Sequence, residues 1–225
     1  SHVLLAPGMN IHRNPLCGRN FEYFSEDPVL SGGLAAAYVN GVQAAGASAV
    51  PKHFACNNQE TNRLHNNSRV SERALREIYL KNFEICIKKS NPHFIMTSYN
   101  KLNGVFNCYN YDLCTEILRN EWGYDGCVMT DWWMVNDKSP DFKNISNQAY
   151  RVRAQVDLFM PGASRFGKYK GKSDGSIFAS YGKKEGITRA ELHRTAKNVL
   201  KYCLKVKCRQ RSVSALQSEI IKHRG

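Results

Sequence analysis

Five short apolar runs punctuate the chain, at residues 3–6, 47–50, 94–96, 127–129 and 156–159. None alternates with polar residues, so each predicts a strand buried on both faces, as in a parallel sheet. The stretches between them carry helical periodicity. Residues 31–45 predict an Ala-rich helix stopped by Gly46. Ser71 is placed to cap the next, whose apolar stripe is Leu75, Ile78, Tyr79, Phe83 and Cys86. Asp112 is the expected cap of a third, with Ile117 and Leu118 inward and Gly123 past its end. Thr188 and Glu191 form a capping box, followed by Leu192, Ala196, Val199, Leu200 and Cys203 on one face.

Strands alternating with helices predict an α/β fold, either a barrel or an open doubly wound sheet. No glycine-rich phosphate-binding loop follows any strand, which removes the nucleotide-binding versions of the open sheet. Every strand instead ends in a different polar or aromatic set, as the mouth of a barrel enzyme requires. The chain has 225 residues, and a full barrel typically needs about 250. The expectation is therefore a partial TIM-type (β/α)8 barrel, parallel strands with covering helices, whose first strands are missing. Its expected limits are residues 1–210, with 211–225 as a basic tail. An opening of Ser1-His2 without Met suggests a chain begun inside a longer protein, so the lack of a leader leaves the compartment open.

Charge and cysteine content narrow the alternatives. The net charge is +13. Sixteen of the 32 Lys and Arg, but only four of the 19 Asp and Glu, lie from Arg165 onward. Such a region can bind an anionic polymer, through Lys168, Lys170 and Lys172 for example. Stacking aromatics beyond Phe166, Tyr169 and Tyr181 are lacking, so nucleic acid is not the expected partner. No apolar stretch reaches the roughly 20 residues of a membrane span. The eight Cys sit mostly in apolar runs and match no zinc spacing, so they read as buried free thiols, with no metal expected. Free thiols favour a reducing, cytoplasmic compartment.

The chemistry sits at the strand ends. Arg19 with Glu22, then Lys52-His53, then Met96 to Asn100, then Asp131-Trp132-Trp133 follow successive runs. Multidentate cations, a carboxylate and flat rings suit a sugar, whose hydroxyls need donors and whose apolar face stacks on aromatics. Taken singly, each has a plainer reading: a helix-capping Asp, a solvated Lys-His pair, core tryptophans, a surface ion pair. The residues alone reach a barrel enzyme with a polar mouth.

Longer strings carry a resemblance. Residues 15–28, Lys52-His53-Phe54 through Glu60 to Arg63, Met96-Thr97-Ser98-Tyr99-Asn100, Met129-Thr130-Asp131-Trp132 and residues 157–162 come in the order of glycoside hydrolase family 3. The chain resembles that family, and its β-glucosidase branch, over roughly residues 3 to 206. The resemblance implies retaining hydrolysis of terminal β-D-glucosyl residues with Asp131 as nucleophile. It implies sugar-hydroxyl donors at Arg19, Lys52 and His53, a subsite lined by Met96 and Tyr99, and an aromatic wall at Trp132. The loop after Lys52-His53-Phe54 disfavours the β-N-acetylglucosaminidase branch. A β-xylosidase-like activity and an incompetent sugar-binding fragment stay open as alternatives. The family's acid/base normally resides on an α/β sandwich domain outside this chain, a required partner beside the β-glucoside substrate. Trp133 departs from the pattern, standing where Gly is common.

Overall fold

The computed structural model describes residues 2–162 and 173–222. The basic segment holding Phe166, Lys168, Tyr169, Lys170 and Lys172 lies outside the described residues. Strands β1 (Val3–Leu4), β2 (Ser48–Ala49), β4 (Phe94–Met96), β7 (Cys127–Trp132) and β8 (Leu158–Met160) fall on the five apolar runs. All neighbouring pairs are parallel. Bridges from Gly8 to Lys52 and from Phe54 to Thr97 carry the pairing from β1 and β2 onto β4. Space thus follows chain order, β1-β2-β4-β7-β8, without the reversal that marks a doubly wound sheet.

Both faces of this sheet are covered, which is why its strands read as unbroken apolar runs. On one face Ala49, Ile95 and Val128 pack under helices α1 (Pro28–Ala44) and α3 (Lys81–Ser90) and the π-helical segment Asp112–Glu121. The other face gathers Val50, Phe94, Met96, Cys127 and Met129, closed by Val199 and Tyr202 of α6 (Arg189–Lys222), which follows the short helices α4 (Asn147–Arg153) and α5 (Ser176–Ser180). The Tyr202 ring meets Phe94 edge-on at 4.3 Å. The expected division at residue 210 falls within α6, where side chains lie outside the described residues.

Local chemistry sets the helix ends. α1 begins three residues before the expected start, because Asp27 Oδ1 accepts from the N–H groups of Val29 and Leu30 and Pro28 takes the first turn. Gly46 follows its end at φ +87. Ser71 caps α2 (Glu72–Ala74) as expected. The chain then widens into a π-helical turn, Leu75–Tyr79, which rotates Ile78 off the stripe to 40% exposure. The cap expected at Asp112 is instead Asn110, whose Oδ1 accepts from Leu113 N, because Asp112 is already helical. Thr188 and Glu191 form the capping box of α6. Its face divides: Val199 packs inward, while Leu200 and Cys203 are exposed.

A second small sheet escaped the strand reading. β3 (Asn67–Ser68) pairs with β5 (Lys101–Leu102), and β5 turns back into β6 (Val105–Phe106). Asn103 and Gly104 both have positive φ, the two-residue hairpin turn that an Asn-Gly pair favours. Six of the seven described Cys are buried, and all seven are free thiols. Among the described residues no helix is long and apolar enough to cross a membrane, and no His, Cys, Asp and Glu cluster is placed to hold a metal.

Candidate active site

The C-terminal ends of β1, β2, β4 and β7 bring one set of polar side chains together. Asp131 lies where β7 carries one extra residue against β8, between the pairs Met129–Leu158 and Trp132–Met160. Such a bulge re-aims a side chain near a strand end. Thr130 repairs the interrupted ladder by accepting the Met160 N–H on Oγ1 at 2.8 Å. Asp131 is 6% exposed. Its Oδ1 accepts from Trp132 N at 2.8 Å, whereas its buried Oδ2 has no hydrogen-bond donor among the described residues. Burial pushes the carboxyl upward, opposed by the Trp132 N–H and the charges of Arg19, Arg63 and Lys52. A desolvated, singly bonded carboxylate is a competent nucleophile.

His53 sits across from it, Nε2 to Asp131 Oδ2 at 3.8 Å. Burial first, and then Arg19, Lys52 and Arg63, hold its pKa well below the usual value, so the imidazole is neutral. The Asn10 side chain fixes its backbone at two points, donating to His53 O at 2.9 Å and accepting from His53 N at 2.8 Å. Behind it, the Ala55 carbonyl accepts from Ser98, Asn100 and Asn107, anchoring the loop after β2. Tyr23 OH lies 3.2 Å from His53 Nδ1 and accepts from Asn57 Nδ2 at 3.1 Å. When Tyr23 donates to Nδ1, the ring proton rests on Nε2, facing Asp131.

The cations form an alternating network. Lys52 reaches Glu22 at 3.3 Å, and Glu22 also pairs with Arg19. Arg19 faces Glu60 at 3.8 Å, and Glu60 accepts from Arg63 at 2.9 Å. The Arg63 guanidinium lies over the Tyr99 ring at 4.6 Å. Burial and the Asp131 charge push the Tyr99 hydroxyl up to about 12.

The fold therefore gathers Arg19, Lys52, His53, Tyr99, Asp131 and Trp132 around one mouth. Met96 is placed differently, its side chain in the buried cluster with Phe94 and Met129. Sequence reasoning passed over Tyr23, Asn10, Glu22 and Glu60 as site residues. Glu22 and Glu60 were legible only as charges near Arg19 and Arg63, and nothing in the spacing tied Tyr23 to His53. Trp133 adopts φ +53, a conformation that costs a side-chain-bearing residue about 1–2 kcal/mol.

One consequence concerns Tyr23. Tyr23→Phe leaves the buried His53 Nδ1 and Asn57 Nδ2 short of a partner. It is expected to cost about 1–3 kcal/mol, read as a lower urea midpoint at unchanged slope. An unchanged midpoint would mean the hydroxyl does not hold the imidazole.

This is a glycosidase-type mouth on an α/β scaffold, and residues 2–201 match the glycosyl hydrolase family 3 N terminal domain. The chain belongs to that family. It is 50% identical over 204 residues to a beta-glucosidase of Ruminococcus albus, covering 89% of this chain and 21% of that protein. It is 55% identical over 136 residues to an exo-alpha-(1->6)-L-arabinopyranosidase of Bifidobacterium longum, covering 60% of this chain and 18% of that one. The structure superposes on the beta-glucosidase of Kluyveromyces marxianus in complex with glucose at a TM-score of 0.81 and 37% identity, covering 95% of this chain and 24% of that chain. The chain thus spans about a fifth of the length of the curated relatives it matches.

Proposed function

We propose that this chain is the nucleophile-bearing part of a retaining β-glucosidase, acting on terminal non-reducing β-D-glucosyl residues of β-glucosides and cello-oligosaccharides. The observation that carries the reading is Asp131, a buried carboxylate whose Oδ2 has no hydrogen-bond donor among the described residues and faces a neutral His53. In the proposed step Oδ2 forms a bond to the anomeric carbon as the bond to the leaving oxygen breaks, giving a covalent glycosyl-enzyme. Arg19, Lys52 and His53 supply donors to the sugar hydroxyls, and Tyr99 and Trp132 supply its walls.

Retention requires a second carboxyl group to protonate the leaving oxygen. Glu22 and Glu60 are each engaged by two cations, which suits charge balance and positioning. We assign the acid/base to an α/β sandwich domain beyond this chain. We read the scaffold as an arc of a (β/α)8 barrel, a reading supported by five parallel strands in unreversed chain order. The buried free thiols fit a reducing, cytoplasmic setting.

The test is covalent trapping. Incubation with 2,4-dinitrophenyl 2-deoxy-2-fluoro-β-D-glucoside, whose leaving group departs without a proton, is expected to add one fluoroglucosyl unit by intact mass. Peptide mapping is expected to find it on Asp131; label on another carboxylate would reject the assignment. The name of the B. longum relative favours a second reading, another exo-glycosidase specificity on the same nucleophile. Faster trapping by the corresponding fluoro-L-arabinopyranoside would select it.

A further inference from the structure

A polar cavity of about 390 Å³ is lined by the loop after β2, by residues 66–71 around β3, and by Arg13 from the segment between β1 and α1. Its frame is fixed by hydrogen bonds. Ser68 Oγ donates to Cys56 O at 2.9 Å and accepts from Asn100 Nδ2 at 3.3 Å, and Asn100 also anchors the loop at Ala55. Asn103 holds Val70 from both sides, accepting from its N–H and donating to its carbonyl, each at 2.9 Å. Two arginines, four amide side chains and two serines share the lining, and no Asp or Glu does. Neither Arg13 nor Arg69 has a carboxylate partner among the described residues. The neighbouring exposed arginines do: Arg73 pairs with Glu77, and Arg76 with Glu72 and Glu121. Two solvated surface charges would be the plain reading of Arg13 and Arg69. That reading does not account for one cavity that receives both and excludes every acidic side chain.

We propose that this cavity binds a phosphate group, free or as a monoester of a small molecule. Two guanidiniums match its two charges, and each can give paired N–H donors to its oxygens. Amide NH2 and serine hydroxyl groups serve the oxygens that remain. The Asn66 amide has no other partner among the described residues, and Asn67 spends only its Oδ1, on Gly104 N at 2.8 Å. A carboxylate ligand, with one charge and two oxygens, would leave much of this donor set unused. With no carboxylate or imidazole in its lining to move a proton, the cavity is a binding site and not a second reaction centre. The site stands apart from the hydrolase reading, so neither falls with the other.

Thermal unfolding of the chain reads occupancy, because a ligand of the folded state alone raises the midpoint. In about 10 mM inorganic phosphate, against chloride of equal ionic strength, the midpoint is expected to rise by about 3–5 °C. Arg13→Gln combined with Arg69→Gln is expected to abolish the rise. Both side chains are exposed, so the double variant is expected to melt as the parent does in chloride. If the paired change lowers the chloride midpoint, the single variants carry the same comparison, each expected to lose at least about half of the rise. Arg73→Gln removes one charge from the exposed face of α2, outside the cavity, and is expected to keep the full rise. Glycerol phosphate separates the two sources. A larger rise than phosphate gives assigns the rest of the cavity to the esterified group, and an equal rise assigns the site to the anion alone. No rise in the parent overturns the proposal. So does an equal rise in the arginine variants, or an equal loss in Arg73→Gln, because basic residues elsewhere or net charge would then account for the effect.

Discussion

In an Asp131→Asn variant, incorporation of the fluoroglucosyl unit is expected to fall by at least about 10⁴-fold, because a neutral amide cannot form the ester. The same change is expected to stabilise the fold at neutral pH. Burial raises the Asp131 carboxyl above its ordinary range. Between the unfolded value and the raised folded value, the native state holds a proton that the unfolded chain has lost. Stability therefore falls as pH rises through that window and stays lower above it. The asparagine variant lacks this penalty, so its advantage in urea midpoint is expected at pH 7 and shrinks toward acid. The parent's trapping rate is expected to move the other way, falling as acid protonates Asp131 at a pH above the usual carboxylate range. Comparable labelling of both proteins would remove Asp131 from the chemistry. A stability difference that ignored pH would remove burial as its cause.

Arg119→Met is expected to cost about 3–5 kcal/mol, the cost of leaving a buried charge without its partner. Arg119 Nη2 meets Asp157 Oδ2 at 2.7 Å, with side chains 9% and 0% exposed. The same guanidinium donates to the carbonyls of Gly126 and Gln155. Asp157 also accepts from Val128 N and from Asn198 Nδ2, so one carboxylate joins β7 and α6 beside its own approach to β8. Burial still raises its pKa against these partners. Adding Asp157→Asn to Arg119→Met removes the stranded charge and is expected to recover part of the loss in urea unfolding. A double variant no more stable than the single one would place the cost in the lost carbonyl contacts.

The strands were legible because a doubly covered parallel sheet leaves apolar runs without alternation, and residues 94–96 match β4 to the residue. The hairpin at β5 and β6 was missed, although Asn103-Gly104 between Leu102 and Val105 is a turn signal. Its strands are two residues long, too short to show alternation. Ile78 defeated the helical stripe because a π-helical turn advances by a smaller angle than the α-helical period assumes. Within the site, the side chains proposed to face a substrate could be named from the sequence because motif strings carry them. The side chains that hold those in place were not. Asn10 clamps His53 across 43 residues and Tyr23 reaches it across 30, separations that no local pattern encodes.

The alternating network also sets an electrical balance for the mouth. Arg19, Lys52 and Arg63 stand against Glu22, Glu60 and ionised Asp131, with His53 uncharged. At rest the ledger closes at zero, which suits an uncharged sugar. Once Asp131 is esterified in the proposed intermediate, one positive charge is left over beside a largely buried carboxyl, where it acts more strongly than it would in water. The covalent intermediate would then present a positive field to whatever arrives next. Such a field lowers the cost of drawing a proton from an incoming water, and it repels a cationic acceptor.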